Sequence, residues 1–154
     1  MKDNPDSRVV TLLHIKRVSE LLSDAAIILL NRAKIHDESK LSDEERAVFD
    51  EFSPKLKDST YGSEEYKGFL KDMQIGLDHH YAANRHHPEH FENGLDDMNL
   101  YDLMEIFCDL KAAGERHANG SIIKSIAYNR ERFKMSDQLV NIFINTAYGP
   151  NCKE

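Results

Sequence analysis

The stretch SRVVTLLHIKRVSELLSDAAIILLN, from Ser7 to Asn31, sets the fold class. Its apolar residues recur at intervals of three and four, which is the spacing of one face of an α-helix. Asp6 or Ser7 can cap the start of such a helix with a side-chain oxygen. The stretch therefore predicts a first helix over about 7–31 with an apolar stripe. The stripe consists of Val10, Leu13, Val18, Leu21, Leu22, Ala25 and Leu29.

The same helical period continues along nearly the whole chain. Ser42, followed three residues later by Glu45, is a capping-box signature that predicts the start of a second, short helix. The segment FSPKLKDSTYGS, with Pro54 and Gly62, predicts a loop. Because strand-like alternation is nearly absent, residues 1–154 are predicted to form an all-α, single-domain helical bundle of about six helices, with a core within about 7–147. The remaining helices are predicted over 63–84, 99–117, 121–133 and 136–147.

The charge balance restricts the class of ligand. The 154 residues carry a formal charge of -7, from 20 basic and 27 acidic side chains. Because a grip on long nucleic acid needs a basic surface, the sequence predicts no such partner. A small anionic molecule can still bind where a metal ion or a local cluster of cations reverses the sign of the potential.

The two cysteines predict a reducing compartment. Cys108 and Cys152 are far apart and fit no metal-binding spacing, and Cys108 lies in an apolar run that predicts a core thiol. The N-terminal segment lacks the apolar centre of a signal peptide, and no apolar run is long enough to span a bilayer. The sequence therefore predicts a cytoplasmic protein that does not enter a membrane.

Histidines occupy positions where apolar residues are expected. His14 falls on the stripe of the first helix, where it is either a core histidine bonded to a backbone carbonyl or a ligand. His80 extends the inner stripe of the predicted third helix, whereas His79 lies on the neighbouring face. The helical wheel favours His80 as the inward member of the pair, although rotation of the helix end would favour His79.

An acidic row follows on the predicted fourth helix. Asp102, Glu105 and Asp109 are spaced by three and four and so share a face, which is typical of a solvated surface. Asp109 also lies among small and apolar neighbours, which favours packing against another element. Imidazoles and carboxylates are standard ligands for divalent ions. The histidine of the first helix, the adjacent pair His36 and Asp37, the histidine pair of the third helix and Asp109 can converge in a bundle as a metal site.

The order of these residues resembles that of the HD superfamily of metal-dependent phosphohydrolases. The segment KIHDESK is similar to the characteristic LLHDIGK of that family, with Lys40 at the position of its lysine. The segment DHHYAANRHHPEHFENG is similar to the histidine-rich segment of HD members that hold two metals. The resemblance runs from His14 to Asp109, about two thirds of the chain. The whole chain also resembles a small HD-like family of phage and bacterial genomes with the phrases HDESK, NRHHPEH and CDLKAA.

The resemblance implies a set of metal ligands. Asp37 would bridge two ions if a second ion is present. A second site would be completed by His80 or His79, together with one of His86 and His87. The cofactor would be one or two divalent ions, drawn from Mn, Fe, Zn, Co, Ni and Mg. The minimal set for the first ion would be His14, His36, Asp37 and Asp109.

A divalent ion polarises a phosphoryl oxygen and lowers the pKa of water. Beside Asp37, Lys40 would hold a phosphate oxygen, unless it is an ordinary solvated charge, and Glu38 or Glu89 would carry a proton. Lys124 and Arg130 on the predicted fifth helix would line a phosphate pocket, unless they are surface charge.

The favoured function is hydrolysis of a phosphomonoester or phosphoanhydride in a small substrate, with a nucleotide preferred. An HD-type di-iron oxygenase and a non-catalytic HD-like protein that binds a ligand or partner remain alternatives. A bundle of this size can form homo-oligomers, but no exposed heptad seam predicts their order.

Overall fold

A computed structural model describes residues 7–60, 62–116 and 120–149 of the protein. These residues form helices and connecting turns without any strand, which confirms the predicted all-α class. Short 3-10 helices cover Glu38–Leu41, Pro88–His90 and Gly94–Asp97. The α-helices are α1 (Ser7–Ile35), α2 (Asp43–Asp58), α3 (Glu64–Asp72), α4 (Gln74–Ala83), α5 (Leu100–Glu115), α6 (Ile122–Phe133) and α7 (Asp137–Ala147).

The chain divides into two compact units, of which α1 is one and the residues from His36 onwards are the other. Helix α1 is a continuous helix of 29 residues without a buried residue, and most of its apolar stripe is exposed. The single domain over residues 1–154 stays a prediction. Within the described residues, no helix combines the length and the apolar character needed to cross a membrane.

The hydrophobic core of the second unit lies among α5, α6 and α7. The rings of Phe107 and Phe143 meet edge to face, with centroids 5.4 Å apart. Cys108 does not join this core and is exposed, so the predicted core thiol is wrong. One residue after Phe107, the helix has turned by about 100°, which carries Cys108 off the buried face. The buried members are Ile106, Phe107, Leu110, Ile126, Met135, Val140, Phe143 and Ala147.

Two differences from the predicted helices concern the segment before the core. The predicted loop around Pro54 is helical, because α2 continues through Pro54 to Asp58. The ring of Phe52 lies 6.4 Å from that of Phe69 on α3, so packing holds this turn although a proline removes one hydrogen bond. The predicted helix over 63–84 is two helices that meet at the buried Met73.

Helices α2 and α4 approach each other closely at Gly76. A Cβ atom added to Gly76 would lie 2.9 Å from Cγ1 of Val48 on α2, which is too short for a real contact. Glycine therefore permits the helix spacing observed here. This spacing brings Glu45 of α2 beside His80 of α4.

Candidate metal centre

Three segments of the second unit bring imidazoles and carboxylates together. The junction after α1 supplies His36 and Asp37, helix α4 and the loop after it supply three histidines, and α5 supplies Asp109. Asp37 has a left-handed backbone, with a φ of 58° and a ψ of 14°. Aspartate is among the few residues that enter this region without a large steric cost. The two adjacent residues can therefore both face one site, since the backbone between them is not extended.

The first group of potential ligands consists of Asp37, His80, His86 and His87. Each residue offers one atom, and these atoms all lie within 4.8 Å of one another. Nε2 of His80 lies 3.2 Å from Oδ1 of Asp37, and Nε2 of His86 lies 3.4 Å from the same oxygen. Nε2 of His80 also faces Nε2 of His87 at 2.9 Å. His80 and His86 are each only 1% exposed, so their ring nitrogens have little access to water.

A second group shares Asp37 with the first and consists of His36, Asp37 and Asp109. Nε2 of His36 lies 3.6 Å from Oδ2 of Asp37 and 3.8 Å from Oδ1 of Asp109. The two oxygens of Asp37 therefore face different groups, with Oδ1 toward His80 and His86, and Oδ2 toward His36. This arrangement is compatible with one divalent ion in each group and with Asp37 between them.

In three of the histidines, the ring nitrogen Nδ1 contacts a carboxylate. Oε1 of Glu105 lies 2.9 Å from Nδ1 of His36 and 3.2 Å from Nδ1 of His86, and these three residues form a third group of potential ligands. Oε2 of Glu45 lies 2.9 Å from Nδ1 of His80. A carboxylate only accepts, so an Nδ1 that donates to it carries the proton and leaves a lone pair on Nε2 when the ring is neutral. Nδ1 of His80 also lies 3.0 Å from the side-chain amide nitrogen of Asn84. Metal-ligating histidines typically donate their other N–H to a carboxylate in this way.

Two buried atoms in the first group make no hydrogen bond of acceptable geometry. They are Oδ1 of Asp37 and Nε2 of His86, although they lie only 3.4 Å apart. Buried polar atoms without a hydrogen bond are rare, and an unseen ion or water is one reason for them. A cation between Oδ1 and Nε2 would satisfy both atoms. The donor set therefore fits a divalent ion.

The charges around the site determine which groups are ready to bind. Interaction with Asp109, and then with Glu105, raises the pKa of His36 to about 10. Burial works against the charge of Asp37, but the imidazoles of His80 and His86 and the ammonium of Lys40 outweigh it and lower the pKa of this carboxyl.

His87 has the opposite shift. Burial, followed by the nearby rings of His86 and His80, lowers the pKa of His87 to about 2. A group with so low a pKa is neutral at physiological pH. The His87 ring is therefore uncharged before an ion binds, whereas the charged ring of His36 must first lose a proton.

The structure separates the histidines that the sequence left open. His80 is the inward member of its pair, whereas His79 is about half-exposed and contacts Glu45 through Nδ1 at 2.7 Å. His86 and His87 both join the first group, rather than one of the two. His79 belongs to none of the ligand groups in the described residues.

His14 lies on α1 and is exposed. His14 is in none of the ligand groups among the described residues. Its role as a ligand stays a prediction.

The predicted catalytic residues differ in their contacts with the ligand groups. Nζ of Lys40 donates to Oδ2 of Asp37 at 2.5 Å, so this ammonium lies at the edge of the second group. Glu38 is exposed in the first turn of the 3-10 helix after Asp37. Glu89 forms an ion pair of 2.6 Å with Arg132. Roles in proton transfer for Glu38 and Glu89 stay predictions.

The predicted substrate-binding cations lie on α6. Lys124 is exposed, and Arg130 forms an ion pair of 2.6 Å with Asp137 of α7. Their roles in substrate binding stay predictions. Arg132 donates to the hydroxyl of Tyr81 at 3.0 Å, and the Tyr81 ring lies 4.9 Å from the His87 ring. Arg132 is therefore connected to the ligand groups through Tyr81.

Two carboxylates of the site were not recognised as such in the sequence. The spacing of Ser42 and Glu45 predicts a capping box, but the carboxylate of Glu45 contacts His79 and His80, and the Ser42 side chain caps no helix N–H. The acidic row predicts a solvated Glu105, which is wrong because its carboxylate contacts His36 and His86. Asp102 of the same row is fully buried in a capping box with Asn99.

The fold and the site define an all-helical protein with a histidine- and aspartate-rich candidate metal centre. The chain belongs to the DUF5662 family, a family of unknown function whose model matches residues 5–148. No curated protein and no solved structure gave a match to the chain.

Proposed function

We propose that this protein is a metal-dependent phosphohydrolase that acts on a small phosphorylated substrate, with a nucleotide preferred. One observation carries the proposal: two groups of potential ligands share the carboxylate of Asp37. The resemblance of KIHDESK to the HD phosphohydrolase segment points to the same class of reaction. A divalent ion would polarise the phosphoryl oxygen and lower the pKa of an attacking water.

The donor atoms favour certain ions. One ion would be held by Asp37, His80, His86 and His87, and a second by His36, Asp37 and Asp109. Imidazole suits Zn, Fe, Co and Ni, and Mn accepts mixed nitrogen and oxygen ligands, whereas Mg²⁺ prefers oxygen ligands and keeps its waters. The first group offers three imidazoles to one carboxylate, so we expect Mg²⁺ to bind it least well.

Two cations near the site suit a phosphate. Lys40 contacts Oδ2 of Asp37 and also lies over the Phe49 ring at 5.0 Å, which fixes its ammonium beside the second group. Arg132 lies beside Tyr81, which contacts His87. In a chain with a net charge of -7, such local cations would orient an anionic substrate toward the site.

The test is a hydrolysis screen of nucleotides and simple phosphomonoesters with Mn²⁺, Co²⁺, Zn²⁺ and Fe²⁺, on the wild type and on Asp37→Asn. We expect phosphate release that depends on the ion and disappears in Asp37→Asn. The matched control is Asp78→Asn, because Asp78 is an exposed aspartate on α4 whose described contact is with Gln74. Activity that survives in folded Asp37→Asn, or the absence of release with every ion, would contradict the proposal.

A second candidate is a di-iron oxygenase, and a specific feature favours it. The two groups together contain four imidazoles, from His36, His80, His86 and His87, which is a nitrogen-rich setting for iron. Incubation with Fe²⁺ with and without oxygen separates the two candidates. Phosphate release that is equal under anaerobic conditions supports the hydrolase, whereas oxygen-dependent turnover without phosphate release supports the oxygenase.

A further inference from the structure

The carboxylate of Glu45 lies in the interior and is 0% exposed. Its Oε2 lies 2.9 Å from Nδ1 of His80 and accepts a hydrogen bond of 3.1 Å from the Ser39 hydroxyl. Its Oε1 lies 2.7 Å from Nδ1 of His79. Burial of an ionised carboxylate is costly, and these three contacts offset that cost.

Helix α2 does not need Glu45 for capping. In a capping box the Glu45 side chain would accept from the backbone N–H of Ser42, but that N–H donates to the carbonyl of Ser39 instead. The carboxylate is therefore directed at the two histidines of α4. Of these, His79 is about half-exposed, whereas His80 is a member of the first ligand group.

Glu45 and Glu105 serve different histidines. Glu45 contacts His80, which belongs to the first group alone. Glu105 contacts His86 of the first group and His36 of the second. Glu45 is itself in none of the ligand groups of the described residues, since its oxygens face the outer nitrogens of the rings.

We infer that Glu45 is a positioning residue for one of the two metal sites: it holds His80 with the proton on Nδ1, and so governs the ion of Asp37, His80, His86 and His87 without affecting the ion of His36, Asp37 and Asp109. Glu105 positions ligands of both ions. This inference rests on the proposed metal centre. Loss of Glu45 should therefore weaken the binding of one ion only, whereas a general role of Glu45 in folding would weaken the binding of both.

The test is a calorimetric titration of the metal-free protein with Co²⁺, read together with the visible absorption of the bound ion. We expect two binding steps in the wild type. In Glu45→Gln we expect one step to weaken by about 10- to 100-fold, as is usual for loss of an outer-shell partner, and the other step to keep its affinity. In Glu105→Gln we expect both steps to weaken. His79→Asn is the matched control, since it removes the other imidazole bound to Glu45, and we expect it to leave both steps unchanged.

A double-mutant cycle separates positioning from a structural role. If Glu45 acts through His80, then Glu45→Gln in a His80→Asn background causes no further loss of Co²⁺ affinity. Circular dichroism shows whether each variant is folded. If Glu45→Gln unfolds, His80→Asn alone must weaken one Co²⁺ step and leave the other, and equal weakening of both steps would overturn the inference. A further loss in the double variant, or an equal weakening of both steps in Glu45→Gln, would overturn the inference.

The same titration distinguishes failure of this inference from failure of the proposed metal centre. A wild type that binds no Co²⁺ would overturn both. A wild type with two steps, both unchanged in Glu45→Gln, would overturn the role of Glu45 and leave the metal centre intact.

Discussion

Asp37 combines an uncommon backbone conformation with a central position in the site. Among the described residues other than glycine, only Asp37 and Lys134 have a positive φ. Residues in this region are held there by their surroundings and occur often at functional sites. The left-handed turn directs the carboxylate of Asp37 toward His80 and His86 on one side and toward His36 on the other. A change of this one residue should therefore affect both ligand groups.

Asp37→Asn tests this shared role with little disturbance of the backbone. Asparagine tolerates the left-handed region, so we expect the variant to fold, whereas Asp37→Ala should be less stable than Asp37→Asn by about 1 kcal/mol. We expect both variants to lose both ions, because a neutral side chain replaces the bridging carboxylate. Elemental analysis after dialysis measures the bound metal, and urea unfolding measures the stability. Retention of one full equivalent of metal in Asp37→Asn would show that Asp37 is not shared.

His36 makes metal affinity depend on pH. The pKa of His36 is raised to about 10 in the metal-free protein, so the ring is protonated at neutral pH and must release its proton to bind an ion. Affinity should therefore rise with pH, by about tenfold per pH unit, and level off only as pH approaches 10. Titrations with Co²⁺ at pH 6, 7 and 8, in buffers of different ionisation enthalpy, measure the affinity and the protons released. An affinity for the second group that is constant over this range would contradict the prediction.

Single residues of the site could be predicted only where a motif or a helical face marks them. The pair of His36 and Asp37 stands out by its adjacency, and the helical wheel correctly favours His80 over His79. Glu45 could not be found, because its spacing from Ser42 is that of an ordinary helix cap. The contact between Glu45 and His80 joins two helices, and no local spacing in the sequence encodes such a contact.

At the scale of elements, the sequence predicts α5, α6 and α7 to within two residues at each end, whereas α1 continues four residues past its predicted end and α2 continues through the predicted loop. The sequence does not show the break at Met73, because the buried residues Met73 and Leu77 keep the helical period across it. Pro54 predicts a loop, but α2 continues past it, where the ring of Phe52 packs near that of Phe69. In both cases the packing between helices decides the structure, and the periodicity of a single segment gives no information about that packing.

The close approach of α2 and α4 at Gly76 leads to a prediction with an internal control. Alanine normally stabilises a helix interior relative to glycine by about 0.5–1 kcal/mol. Gly68→Ala on α3 should show this gain, because no atom lies within 4 Å of its added Cβ. Gly76→Ala should instead destabilise, because its Cβ would lie 2.9 Å from Val48. Urea unfolding of the two variants measures the two free energies of unfolding.

The same substitution should reach the metal site. Separation of α2 from α4 moves Glu45 away from His80, so we expect Gly76→Ala to weaken Co²⁺ binding while Gly68→Ala does not. Val48→Ala in the Gly76→Ala background removes the methyl groups in conflict and should restore part of both losses. If the two glycine variants have the same stability and the same affinity, the close approach at Gly76 is not required.

In the second unit, the candidate site and the hydrophobic core lie in different parts of the chain and share α5. The ligands come from residues 36–109, whereas the apolar cluster of α5, α6 and α7 comes from 106–147. Met73 and Leu77 are buried outside that cluster. Helix α5 contributes Asp109 to the site and Ile106, Phe107 and Leu110 to the core. A bound ion and the core should therefore stabilise the folded unit through largely separate contacts.

This separation predicts additive effects of metal and core on the stability of the whole molecule. An ion that binds only the folded state at 100 times its dissociation constant adds about 2.7 kcal/mol to the free energy of unfolding. For a chain of this size that raises the melting temperature by about 5–10 °C.

Phe143→Ala leaves a cavity in the core, which should reduce the free energy of unfolding by about 3–5 kcal/mol and so lower the melting temperature. The rise in melting temperature caused by Co²⁺ should remain in this variant. Asp37→Asn should lose that rise, and a chelator should reverse it in the wild type. If Phe143→Ala abolishes the rise while the variant is folded, core and site are coupled, and the division of roles along the chain is wrong.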